Sequence, residues 1–86
     1  MKTFLVEIRE DALREIVMKH YRFYWDNFFE LVTSTPVKAR DKAMAIQVFL
    51  EEDRLHGGVI RKAAQLLGKP PEKILQVIEL DGIEEV

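Results

Sequence analysis

Residues 57–80, GGVIRKAAQLLGKPPEKILQVIEL, decide how the rest of the chain is read. They predict two short helices meeting at a tight corner, the pattern of a helix-turn-helix. Ala63 and Ala64 fall in the first helix, where small side chains let a second helix cross closely. Gly68 supplies the left-handed backbone that ends a helix after Leu66-Leu67. Pro70-Pro71 has no amide hydrogen to lose at a helix start and presets φ there. Ile74, Leu75, Val77 and Ile78 then give the second helix its apolar contacts.

GGVIRKAAQLLG followed by PPEKIL resembles the C-terminal helix-turn-helix of the factor-for-inversion-stimulation type. That module also closes the nitrogen-regulator class of bacterial activators and occurs in small antitoxin-like proteins. Gly58, Ala63, Ala64, Leu67, Gly68 and Ile74 stand in register with it, within residues 57–80 only. Val59 stands where the module usually has asparagine, and Lys69 replaces an aliphatic residue. The resemblance implies double-stranded DNA as a partner, with the second helix in the major groove. Arg61, Lys62 and Lys69 would then meet phosphates, while Lys73 and Gln76 would read base edges.

The charge distribution agrees with that placement, although the net charge of −2 does not favour nucleic acid in general. Between Arg54 and Lys73 the local balance is +4, with Glu72 as the only acid. From Ile74 onward it is −4, from Glu79, Asp81, Glu84 and Glu85.

Working back from the corner, residues 2–8 (KTFLVEI) alternate Phe4, Val6 and Ile8 against Thr3, Leu5 and Glu7, the pattern of a half-buried strand. Such a strand needs backbone partners. The acidic tail Ile83–Val86 and the same strand of a second chain are the options the sequence offers. Glu10 and Asp11 open a helix that can run unbroken to about Val32, with opposite charges four apart at Glu15–Lys19 and Arg22–Asp26. Its apolar arc includes Tyr21, Tyr24, Trp25, Phe28 and Phe29 and is wider than a surface helix normally shows its own core. That excess predicts a homodimer through these five residues. Thr35 and Pro36 then predict a cap and first turn for a helix from Val37 to about Asp53, burying Ala39, Ala43, Ile46, Phe49 and Leu50. His56-Gly57-Gly58 breaks the chain before the corner, and Asp81-Gly82 would end the last helix with Ile83 folded back on it.

Catalytic chemistry has little to work with. Arg14 and His20 stand at a spacing resembling helical ribonucleases of the higher-eukaryote-and-prokaryote nucleotide-binding class. There is no cysteine, the pairs Glu51-Glu52 and Glu84-Glu85 have no histidine at ligand spacing, and Gly57-Gly58 is no phosphate loop. No cofactor, metal or enzymatic activity is expected. No apolar run is long enough to span a membrane and Met1-Lys2-Thr3 begins no signal peptide, so a cytoplasmic protein is expected.

The expected fold is therefore mainly α, even all-α apart from one N-terminal strand: a long aromatic helix, a second helix and a C-terminal helix-turn-helix. One domain is expected over residues 1–86, with residues 1–33 for dimerisation and 36–80 for the second helix and the corner. The expected function is a small DNA-binding transcriptional regulator or antitoxin-like repressor. The residues leave open a homo-oligomeric protein–protein interaction module without nucleic acid, and a small helical ribonuclease.

Overall fold

A computed structural model describes residues 1–80. The N-terminal strand β1, Lys2–Ile8, forms as its alternation requires, with Phe4, Val6 and Ile8 buried. It is the centre of a three-stranded antiparallel sheet rather than a lone strand. Thr35–Ala39 forms β2 and Leu75–Glu79 forms β3, in the order β2-β1-β3. Phe4 pairs with Val37 on one side and Glu79 on the other. The described residues are thus a mixed α/β fold, not a mainly α one, with five helices against the sheet. The tail as a partner for β1, and the turn read at Asp81-Gly82-Ile83, lie outside the described residues. Strands β2 and β3 take both edges of β1 in place of the same strand from a second chain.

The expected recognition helix is not a helix. Pro71–Lys73 makes one 3-10 turn, Ile74 is buried, and Leu75 enters β3. Ile74, Leu75, Val77 and Ile78 fit a helical stripe, but Leu75 and Val77 also fit a strand with Gln76 and Ile78 on its other side. Five residues rich in β-branched types do not separate the two periods. Long-range pairing decides, because β1 has backbone groups to satisfy on both edges. Arg9 N–H donates to the Ile74 carbonyl at 2.8 Å and Leu80 N–H to Thr3 at 2.9 Å, so the pairing extends past both ends of β3.

The expected long aromatic helix is three: α1, Glu10–Lys19; α2, Tyr21–Asp26; and α3, Phe28–Val32. A straight helix from residue 10 to 32 would be about 35 Å long, against about 23 Å for a seven-residue strand. Two bends fold the segment over the sheet, so that Ile16 and Leu31 both reach the core. At Asn27 the side-chain amide donates to the Phe23 carbonyl at 3.0 Å and competes with the helical backbone. No side-chain bond explains the bend at His20. Of the two charge pairs read along the helix, Glu15–Lys19 forms at 3.2 Å, while Arg22 makes no ion pair among the described residues. At the start of α1 the hydrogen bond from the Arg9 guanidinium holds the Asp11 carboxyl below the usual carboxylate range.

Pro36 begins no helix. It sits in β2, an edge strand where a missing amide hydrogen is tolerated, opposite Leu5. Helix α4 spans Lys42–Leu55, and Asp41 caps it by accepting from Met44 N–H at 2.8 Å. Phe49 and Leu50 are buried as expected; Ala39 is buried in β2 instead, Ile46 is half-buried and Ala43 is exposed.

Helix α5, Val59–Leu67, buries Val59, Ile60, Ala63 and Ala64. Asp53 of α4 holds its start, the carboxylate accepting from Ile60 N–H at 2.9 Å and Arg61 N–H at 3.2 Å. Asp53→Ala leaves both amides without that acceptor and is expected to cost about 1–2 kcal/mol in urea unfolding. Gly68 ends the helix at φ 66° as the sequence predicts, and Lys69 N–H donates back to the Ala64 carbonyl at 3.0 Å. Gly68→Val should cost about 1–2 kcal/mol or more from strain at positive φ. Gly68→Asn should cost clearly less, because asparagine tolerates that region; the same unfolding experiment compares the two.

The core is wholly apolar: among the described residues no polar or charged side chain is buried. Its large members are Phe4, Val6, Ile16, Leu31 and Ile74, between the sheet and the helices. The other sheet face carries Thr3, Leu5, Glu7, Gln76 and Ile78, the usual one-sided exposure of an antiparallel sheet.

Candidate interaction surface

The bends at His20 and Asn27 determine which aromatic side chains the fold can cover. Phe23 and Tyr24 pack against the core as half-buried side chains. Tyr21, Trp25, Phe28 and Phe29 remain 59%, 54%, 36% and 79% exposed. They are not scattered. Trp25 and Phe28 stack with ring centroids 5.6 Å apart and planes 15° from parallel. Tyr21 meets the Trp25 edge at 6.1 Å, and Phe29 meets Phe28 at 6.2 Å. Tyr24 touches both Trp25 and Phe28, at 5.3 and 5.6 Å, and anchors the ridge to the core beneath it. Edge-to-face and offset contacts of this kind fix ring orientation. The ridge is therefore held in place without being covered.

Beside the ridge lies a groove of about 580 Å3. Phe29 and Glu30 of α3, Pro36, Val37 and Lys38 of β2, Val48, Phe49 and Glu52 of α4, and Ile60 of α5 line it. Phe29 belongs to both features. The five residues expected at a dimer interface thus stand together, with Tyr24 as their support. Sequence reading misses the groove, because it needs β2 beside α4, whereas Thr35 and Pro36 read as the cap and first turn of a helix from Val37. The alternation of Val37 and Ala39 was the available signal.

The residues expected to bind DNA do not share one element. Arg61 and Lys62 are exposed on α5, Lys73 on the 3-10 turn. Lys69 lies 3.9 Å from the Glu15 carboxylate, and the Gln76 amide donates to Glu7 at 2.7 Å on the open face of the sheet. Arg61 also reaches back, donating to the Leu50 carbonyl at 3.5 Å. No single recognition helix presents this set. Arg14, the expected partner of His20, pairs with Glu10 at 3.0 Å. Among the described residues no group of three His, Asp or Glu side chains is arranged to hold a metal ion, and no helix is long and apolar enough to cross a membrane. The ridge and its groove form one contiguous, largely apolar surface. No protein-family model, curated protein or solved structure matches the chain.

Proposed function

We propose that the chain is a homo-oligomeric protein–protein interaction module that self-associates through the aromatic ridge of α2 and α3. The observation that carries this reading is the contiguous exposure of Tyr21, Trp25, Phe28 and Phe29 on rings already oriented by mutual contact. Taking about 200 Å2 for each aromatic side chain, the four present roughly 450 Å2. A patch of that size is the kind that carries function on small proteins. Rigid aromatic groups also lose little conformational freedom on binding, which suits them as anchors. Trp25 is the chain's only tryptophan and reports directly on the ridge. Its emission should shift to longer wavelength on dilution from high to low micromolar concentration, as the ring passes from interface to water. Emission independent of concentration, at the wavelength of a half-exposed indole, would rule the reading out.

Duplex DNA binding is the second reading, and one observation favours it. Arg61, Lys62 and Gln65 are exposed together on one side of α5, whose start Asp53 fixes. The contact would then lie on α5 and not on β3. Its mark would be duplex affinity falling with salt and a slope reduced by about 1 for each of Arg61 and Lys62 removed.

A further inference from the structure

Self-association through the ridge requires a receiving surface on the second copy. The ridge offers about 450 Å2, whereas a stable interface covers about 800 Å2 on each partner. More surface must therefore join it, and the groove is continuous with it at Phe29. The floor there is apolar, with Val48, Phe49 and Ile60.

Charge is complementary as well. The groove's rim carries the acids Glu30, Glu52 and Asp53 against Lys38 and His56. Asp53 is engaged by the α5 amides and His56 lies 3.7 Å from Glu52, which leaves Glu30 as the rim's acid without a partner nearby. Among the described residues the ridge side offers one cation without an ion pair, Arg22 of α2, since Lys19 at the end of α1 is already paired with Glu15 at 3.2 Å. Arg22 is exposed three residues before Trp25, which puts the two on neighbouring positions of the helix surface. Among the described residues neither Arg22 nor Glu30 forms an ion pair.

We propose that the occupant of the groove is a second copy of this chain, related by a two-fold axis beside Phe29. The Trp25–Phe28 ridge of each copy lies over the groove of the other, and Arg22 of each copy meets Glu30 of the other. This rests on the self-association proposed above and gives it a geometry. Because ridge and groove adjoin, one rotation satisfies both contacts and the assembly closes as a dimer. Placed on opposite sides of the molecule, the same contacts would propagate into a filament.

Charge reversal tests the arrangement. Arg22→Glu and Glu30→Arg each create two like-charge contacts in the homodimer, and each should weaken self-association roughly tenfold or more. Both positions are exposed, and circular dichroism verifies that the variants are folded. Mixing the two variants should restore association to near the wild-type level, since every cross-contact in the mixed dimer again joins opposite charges. The double variant should self-associate as the wild type does. A wild-type dimer whose single variants associate normally, or whose mixture fails to recover, would overturn the two-fold arrangement and leave self-association standing. A wild-type chain that stays monomeric at high micromolar concentration would overturn both.

Discussion

Trp25→Ala is expected to weaken self-association by about 30-fold or more, the loss typical of a buried aromatic anchor. Trp25 stacks on Phe28 and is braced by Tyr24, so truncation removes the middle of the ridge and loosens both neighbours. The folded monomer should change far less, because the ring is already half exposed. The two effects separate by concentration. At low micromolar chain the melting temperature of the variant should approach that of the wild type. At high concentration only the wild type gains the stability that comes from association. Ile78→Ala supplies the control. Ile78 is comparably exposed but lies on the open face of the sheet, so its loss should leave association unchanged.

Phe4→Ala should cost about 3–5 kcal/mol, a large share of the roughly 5–15 kcal/mol that holds small domains together. Phe4 is 1% exposed, in the central strand, and packs under the helices between Val37 and Glu79. Leu5, its neighbour in the chain, faces the other way and is only half-buried. Leu5→Ala is therefore expected to cost clearly less. Urea unfolding of the two variants reads the contrast, and equal losses would contradict the one-sided sheet. A second mark is hydrogen exchange. With β2 and β3 both paired to it, the amides of β1 should be among the slowest to exchange, on both of its edges.

Local signals hold for the glycines and for strict alternation, whereas Thr35 and Pro36, equally local, open no helix. Gly68 at positive φ, the break at Gly57-Gly58 and the alternation of Lys2–Ile8 are all read from a few neighbouring residues. The errors fall where a short apolar run fits two periods and a distant strand chooses between them. Leu75–Glu79 became β3 because β1 offered an edge some seventy residues earlier in the chain. Thr35–Ala39 became β2 for the same reason, and the helix start then passed to Asp41, a cap as good as Thr35 by residue type. The site divides in the same way. The aromatic excess between Tyr21 and Phe29 is visible as more apolar surface than a small fold can bury, and four of its five named residues are exposed together, with Tyr24 half-buried beneath them. The groove beside it was not visible, because it exists only once β2, α4 and α5 stand side by side. Basic residues clustered in sequence from Arg54 to Lys73 do not cluster on one element, because the chain turns at Gly68 and again at Pro71–Lys73 before pairing with β1.

Light scattering across a concentration series is the most direct measurement of self-association. One chain has a mass of 10.1 kDa. The mass should rise toward twice that value at high micromolar concentration and stop there, and Trp25→Ala should return it to that of one chain. A wild-type mass that stays at one chain throughout the series would contradict self-association through the ridge. A mass that keeps climbing without a plateau would contradict the closed two-fold pair.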